Sequence, residues 1–306
     1  MLIRKTQVAV EIEATEGTAE TLEAADAFLA SNVDFQPAIE MNERDPLRSN
    51  LPPWASVPGK RQATVTFDVD LAGTGTAGDP LPFADALKAC GVSETLVADT
   101  SATYKPASDS VPSVTIGVYM DGKIYKTWGA RGTFRLDLAN GKPGVIHFTF
   151  TGADWSEEDG SMLSGVSYNT TLPPVLLSAN FSIDAYAALI DSLSLDAGNE
   201  VVLRPDINKP SGHRSALISS RRPTVSFDPE NVLVATHDFL GNWKSGALMA
   251  LSATLGSDTG NTIAISAPKI QYQEAGLADR AGLSIFELTG LCTVDSGDDE
   301  WQIQIT

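Results

Sequence analysis

The chain has 306 residues and a formal net charge of −18, and the acidic excess is present in both halves. This length is enough for about two domains, each able to bury a core of its own. So acidic a chain is unsuited to binding nucleic acid through a basic patch, but the charge does not exclude a role in which DNA must pass without sticking.

Alternating apolar and polar residues predict a series of strands in the first half of the chain. Seven runs follow the period-two spacing of strands: residues 8–12, 33–41, 64–71, 114–120, 123–128, 132–138 and 145–151. Residues 22–30 are rich in alanine and predict a short helix. A second helix is predicted to be capped by Asp79 and to stop at Gly91. The acidic, Gly- and Ser-rich residues 154–169 are interpreted as a linker.

The second half of the sequence repeats the first. Arg61–Asp68 recurs as Arg221–Asp228, 160 residues later, and the match continues upstream without a gap. Further along, Gly144–Gly152 recurs as Gly282–Gly290, 138 residues later. Such a repeat predicts that one β-rich unit is used twice. The alternative is chance similarity, because strand patterns are degenerate.

Each half is predicted to contain a strand, a long hairpin arm, a second strand, one short helix and a four-strand meander. Elements in this order predict a mainly β fold, a β-sandwich or partial barrel with one helix against it. We therefore expect two tandem domains: unit 1, residues 1–165, and unit 2, residues 166–306. The polar residues 92–112 have no counterpart in unit 2 and account for the greater length of unit 1.

Two long excursions between strands are candidate contact surfaces: the first arm, residues 44–60, and the second arm, residues 204–221. The first arm is rich in proline and carries an isolated tryptophan, Trp54. Long loops without regular structure are usually functional or disordered. Basic residues collect in these arms, which favours contact with an acidic surface over the alternative of solvated loops. The candidate contact residues are Arg44, Arg48, Trp54, Arg204, Lys209 and Arg214.

The sequence shows no constellation typical of an enzyme or of a metal centre. Its three histidines, His147, His213 and His237, have no cysteine or histidine neighbour at metal-ligand spacing. Neither a phosphate-binding loop nor a nucleophile elbow occurs. The acidic loops at residues 157–159 and 298–300 lack the spacing of an EF-hand. We expect no catalytic residues, no cofactor and no metal ion.

The two cysteines, Cys90 and Cys292, lie in opposite halves of the chain. Two cysteines do not make a disulfide framework, so we expect free, buried thiols in a reducing compartment. Glu11 and Glu13 follow the basic start of the chain where a signal peptide would have an apolar run. No stretch is long and apolar enough to predict a membrane span.

The whole chain resembles the tail tube proteins, or major tail proteins, of long-tailed bacteriophages. The resemblance rests on the order of its parts: Thr6–Glu11 with Glu16–Thr18, then Asn42–Asp45, Gly59–Val65, Pro82–Leu87 and Val145–Gly152.

The resemblance implies a non-enzymatic subunit that forms stacked rings, with strands of neighbouring subunits closing a β-barrel whose lumen conducts DNA. The arms would reach the next ring. The implied partners are further copies of the chain, a tape measure protein and the tail terminator and tip proteins. The implied location is the virion tail, after assembly in the host cytoplasm. Rings of the family usually hold six single-domain copies, so two units per chain imply three chains per ring with pseudo-sixfold symmetry.

Two other functions stay open. The tube of a contractile or secretion injection system uses a similar subunit and would need a sheath-binding outer surface. A β-sandwich for adhesion or carbohydrate binding would need an exposed aromatic platform, but the five tryptophans are scattered along the chain.

Overall fold

The structure is a computed structural model that describes residues 2–306. Strands hold 52% of the residues and helices 5%, so the prediction of a mainly β fold is confirmed. Unit 1 contains β1 (Thr6–Ile12), β2 (Ala27–Phe28), β3 (Ser31–Asn42), β4 (Val57–Asp70), β5 (Val92–Val97), β6 (Ser101–Pro106), β7 (Val114–Met120), β8 (Lys123–Ala139), β9 (Val145–Gly152) and β10 (Asp154–Asp159). Unit 2 contains β11 (Ser182–Ile183), β12 (Ser192–Asp196), β13 (Asn199–Pro205), β14 (His213–Arg221), β15 (Thr224–Phe227), β16 (Leu248–Leu255), β17 (Ile263–Arg280), β18 (Leu283–Cys292) and β19 (Gln302–Ile305).

Each unit has one short α-helix, as predicted: α1 (Ala84–Ala89) in unit 1 and α2 (Phe239–Ser245) in unit 2. The side chain of Asp238 caps α2 by accepting a hydrogen bond from the backbone N–H of Gly241 at 2.7 Å. Neither helix, nor any other helical segment of residues 2–306, has the length and apolar character needed to span a membrane.

Eight strands form one continuous antiparallel sheet through both units, called the main sheet below. Its order is β3-β4-β9-β8 in unit 1, followed by β12-β15-β18-β17 in unit 2. The units are joined where β8 pairs with β12, and there Leu136 lies opposite Leu195. Within residues 2–306 the sheet stays open, because β3 pairs only with β4 and the last part of β17 pairs only with β18.

The same order of strand partners occurs in both units. β12 and β15 pair in the register of β3 and β4, with each residue 160 positions later. Val65 lies opposite Phe150, whereas Val225 lies opposite Gly290, which is 140 positions after Phe150. The sequence match at 138 positions is therefore wrong by two residues. A shift of two keeps each side chain on the same face of its strand, so the apolar pattern alone did not reveal it.

A second layer of strands packs on one face of the main sheet. It contains β1, β2, β7, β10 and the start of β8 in unit 1, and β11, β16, β19 and the start of β17 in unit 2. Buried residues of both layers form one hydrophobic core, centred in unit 1 on Phe67 and Phe148, whose rings are 5.2 Å apart. This two-layer arrangement is the predicted β-sandwich.

The strands predicted at residues 123–128 and 132–138 are one bent strand, β8, which passes from the second layer into the main sheet. The bend lies at Gly129, whose φ of +62° is favoured for glycine. Residues 92–112, predicted only as a polar insertion, form the β5–β6 hairpin. Because β6 pairs with β19 of unit 2, both layers cross the boundary between the units.

Three local predictions are wrong. Residues 22–30 form a 3-10 turn at Ala24–Asp26 and then strand β2, because Ala27 and Phe28 are buried in a pairing with β1 and tertiary contacts override a weak helix propensity. Helix α1 begins at Ala84 rather than after an Asp79 cap. The predicted linker begins with strand β10, because this segment pairs with the start of β8.

Cys90 and Cys292 are both buried and free. Burial raises the pKa of the Cys90 thiol well above its ordinary value and raises the pKa of Cys292 to about 12. We expect a chromogenic disulfide reagent at pH 8 to label neither thiol rapidly in the native protein and both thiols in denaturant. Rapid native labelling would contradict the burial, and no labelling in denaturant would show a disulfide.

Candidate assembly surfaces

The face of the main sheet that points away from the core is polar. Its side chains are mostly serine, threonine and aspartate, and they are exposed or half-buried. They are Thr64, Thr66, Asp68 and Asp70 on β4, Thr149 and Thr151 on β9, Thr133 and Asp137 on β8, Ser192, Ser194 and Asp196 on β12, Thr224 and Ser226 on β15, and Asp228 directly after β15. A groove of about 720 Å³ crosses this face from β3 to β18. The alternation of apolar and polar residues predicted one polar side for each strand. It did not predict that the polar sides of eight strands from both units would form one continuous face.

Basic groups on the polar face lie against carboxylates of the same chain. His147 Nδ1 is 2.6 Å from Asp68 Oδ1, and Arg135 Nε is 2.7 Å from Asp137 Oδ1. Arg280 reaches Asp228 at 2.8 Å. Within the described residues, Asp70 and Asp196 have no such cation, so the face keeps a net negative charge.

The first arm projects from the end of the β3–β4 hairpin, and residues 43–56 between the two strands are exposed and irregular. Trp54 is not isolated, because the guanidinium groups of Arg48 and Arg44 lie 4.9 Å and 5.9 Å from the centre of its ring. Cation–π contacts of this kind give the arm a local organisation. Three of the six predicted contact residues therefore lie together, away from the core.

The second arm folds onto unit 1 of the same chain. It forms most of the β13–β14 hairpin, which begins five residues before the predicted arm, at Asn199. The basic side chains of the arm lie against Glu16. Arg204 Nη1 lies 3.2 Å and Arg214 Nε lies 3.6 Å from Glu16 Oε2, and Ser215 Oγ donates to Glu16 at 2.9 Å. Arg131 of β8 completes the cluster at 2.9 Å from Glu16. The acidic surface expected for this arm thus lies within its own chain, and Lys209 is left at the turn between the two strands.

Backbone contacts fix the second arm in the same place. A Cβ atom at Gly17, whose φ is +73°, would lie 2.2 Å from the carbonyl oxygen of Arg214, so only glycine permits this approach. The Arg131 guanidinium donates to the carbonyl oxygen of Ala216, and the Arg61 N–H donates to the carbonyl oxygen of Ser211 at 3.1 Å. The arm is therefore a docked hairpin rather than a free loop.

Partial burial alone would raise the pKa of Glu16. Hydrogen bonds from Arg131 and Ser215, together with the charges of Arg131 and Arg204, outweigh that effect and hold the pKa below its ordinary value of 4.5. The ionised form of Glu16 is therefore the form that binds the second arm.

No group of three or more His, Cys, Asp or Glu side chains within residues 2–306 is arranged to hold a metal ion. What the structure offers instead is a set of surfaces: an open sheet with a polar face, two sheet edges without partners and a projecting arm. These features define a β-sandwich subunit suited to assembly.

The comparison with known protein families also indicates a subunit of a larger assembly. A family profile described as phage tail tube protein matches residues 3–286, and the chain belongs to that family. Membership confirms the resemblance, places the protein in the virion tail and implies self-assembly into a tube. A search of curated proteins found no match.

We expect Glu16→Gln to lower the free energy of unfolding by about 1 kcal/mol at pH 7, since it weakens several charge-assisted hydrogen bonds at a partly exposed site. Because the folded-state pKa is depressed, this contribution is fully present above the ordinary value of 4.5 and is lost as the pH falls through the lower folded value. Urea unfolding of both proteins across this range measures the difference.

Glu157→Gln is the matched control, because Glu157 pairs with Lys123 on the open surface, where an ion pair contributes little. A Glu16→Gln protein as stable as the wild type at pH 7 would contradict the role assigned to the cluster.

Proposed function

We propose that the protein is a structural, non-enzymatic subunit of a phage tail tube that polymerises as stacked rings and conducts DNA through their lumen during genome delivery. One observation carries the proposal. The main sheet consists of two consecutive four-strand sets with the same strand order, joined by an ordinary antiparallel ladder and left open at both ends. Family membership supports the same function.

We also propose that the two units are copies of one domain and that a ring holds three chains. An unpaired sheet edge exposes N–H and C=O groups and favours further pairing. Head-to-tail contacts between identical chains either close a ring or continue as a fibre. Six units joined edge to edge would leave no open edge, and each chain already contains one of the unit-to-unit contacts, the pairing of β8 with β12.

The polar face of the main sheet is the surface that would line the lumen. The apolar face is covered by the second layer and cannot serve. DNA carries about one negative charge per 1.7 Å of helix axis, so a face with excess carboxylates repels it and does not retain it. Two arginines of this face, Arg135 and Arg280, pair with Asp137 and Asp228, which leaves fewer cationic groups free to bind phosphate.

Contacts between rings are assigned to the arms. Arg44, Arg48 and Trp54 in the first arm, with Lys209 at the tip of the second arm, are the proposed residues, because aromatic and arginine side chains dominate interface energies. Arg204 and Arg214 would act indirectly, by holding the second arm on Glu16. A tape measure protein within the lumen, terminator and tip proteins at the tube ends, and assembly in the host cytoplasm complete the proposal.

Negative-stain electron microscopy of the concentrated, purified protein tests this function. We expect tubes or stacked rings of uniform width. A population of monomers alone, at every concentration and salt condition that favours association, would contradict the proposal.

Replacing residues 43–56 by the two residues Asn-Gly connects Asn42 through a tight turn to Val57, its partner in the β3–β4 ladder. We expect a folded protein that forms rings or monomers but no long tubes, because the main sheet is untouched and the arm between rings is gone. Circular dichroism checks the fold and electron microscopy counts the tubes.

Single substitutions test whether the first arm joins the rings through Trp54. Trp54→Ala should shorten or abolish tubes, whereas Trp243→Ala, which removes a similarly exposed tryptophan from α2, should not. Long tubes from the arm-deleted protein would show that other residues join the rings.

A further inference from the structure

We infer that residues 32–36 of β3 pair with residues 276–280 of β17 in the next chain, in the antiparallel register that β12 and β8 show inside the chain. The inference rests on the proposed function, because it identifies the two edges that join chains within a ring. The partner is a second copy of this chain.

The template for the contact is the pairing of β12 with β8. In it, Ser194 lies opposite Asp137 and Leu195 opposite Leu136. Strand β12 occupies in unit 2 the place that β3 occupies in unit 1, since both pair on their other side with the next strand of their unit in one register. The edge of β3 that corresponds to the β8-bound edge of β12 has no partner within residues 2–306.

Strand β17 occupies in unit 2 the place of β8. Leu136 lies opposite Ile146 on β9, and Leu277 lies opposite Phe286 on β18. Ile146 and Phe286 are themselves equivalent, because Ile146 lies opposite Val69 and the Phe286 N–H donates to the carbonyl oxygen of Pro229, 160 positions after Val69, at 2.9 Å. Leu277 therefore stands where Leu136 stands.

Burial separates these two equivalent leucines. Leu136 is 0% exposed because β12 lies beside it, whereas Leu277 is 68% exposed because nothing in the described chain lies beside the end of β17. Both point toward the core side of the main sheet, as their buried partners Ile146 and Phe286 show. A neighbouring strand would cover Leu277, and the register places Phe35 of the next chain against it.

The proposed β3–β17 ladder differs from the β12–β8 ladder at both ends, and these differences limit its length. The Ala197 N–H donates to the carbonyl oxygen of Phe134 at 3.0 Å and so continues the β12–β8 ladder. Pro37 occupies the position equivalent to Ala197 and has no N–H to donate, so the ladder between chains ends at Gln36. At the other end, Asp279 stands where β8 has Leu138, which leaves Leu277 as the main apolar contact.

Paired cysteines test the register. Asp34 and Ala278 would face each other between chains as Ser194 and Asp137 do within the chain. Backbone N–H groups at alternate residues, such as Ala197, bind β8, so the Ser194–Asp137 pair is not hydrogen-bonded. Such pairs have Cα atoms about 4.5 Å apart, within the range of a disulfide.

We expect the protein with Asp34→Cys and Ala278→Cys to form disulfide-linked multimers on mild oxidation of assembled tubes, seen on non-reducing gels. Ser194→Cys with Asp137→Cys is the matched positive control and should close within one chain. Asp34→Cys with Glu274→Cys places the second thiol four residues, or about 13 Å, out of register and should give no multimers.

The outcomes separate the two proposals. Tubes without Asp34–Ala278 multimers, alongside a closed Ser194–Asp137 control, would overturn the edge pairing and leave the tube function standing. Wild-type protein that never assembles would overturn the function itself.

A second variant approaches the same edge without cysteine. Leu277→Asp should fold, since the side chain is largely exposed, and should lose ring formation because a charge would face Phe35 of the next chain. Leu248→Asp, at a leucine that is 51% exposed on β16, should assemble normally. Normal assembly of Leu277→Asp, measured by sedimentation velocity, would contradict the inference.

Discussion

An antiparallel sheet always ends in strands whose outer N–H and C=O groups have no partner, and this constraint underlies the structure. Inside the chain, unit 1 meets it by pairing β8 with β12 of unit 2, which buries Leu136 and Leu195. The outer edges of β3 and β17 remain, and Leu277 is exposed beside one of them. In the proposed tube, the polar face would line the lumen and the arms would join the rings, and both assignments depend on a sheet that continues from unit to unit.

Several independent contacts hold the joint between the units in one geometry. In the second layer β6 pairs with β19, and the second arm binds Glu16 of unit 1. Arg221, at the end of that arm, pairs with Asp298 at 2.5 Å and with Glu300 at 2.9 Å. A ring built from such chains would have a preformed contact at every second joint, so only the β3–β17 joints would form on assembly.

The sequence predicted the features that depend on neighbouring residues. Period-two alternation located β4, β7 and β9, and the 160-residue offset of the gap-free repeat recurs in the registers of β3–β4 and β12–β15. It missed the two-residue shift of β18, because the repeat was aligned on side-chain pattern alone and a shift of two residues keeps that pattern.

Long-range contacts were beyond the reach of sequence patterns. Glu16 and Arg204 are 188 positions apart, and nothing in either segment indicates that the second arm docks there. The pairing of β8 with β12 likewise depends on which edges meet in space. The first arm was recognised from its prolines and Trp54, but its contacts with Arg44 and Arg48 depend on a loop conformation that composition does not specify.

The central claim is that the contact within the chain is repeated between chains. Electron cryomicroscopy of assembled tubes tests it most directly. The account predicts rings with threefold symmetry of whole chains, near-sixfold symmetry of units and a lumen lined by the polar face that carries Asp70 and Asp196. Rings of six whole chains, or a polar face turned to the outside of the tube, would contradict it.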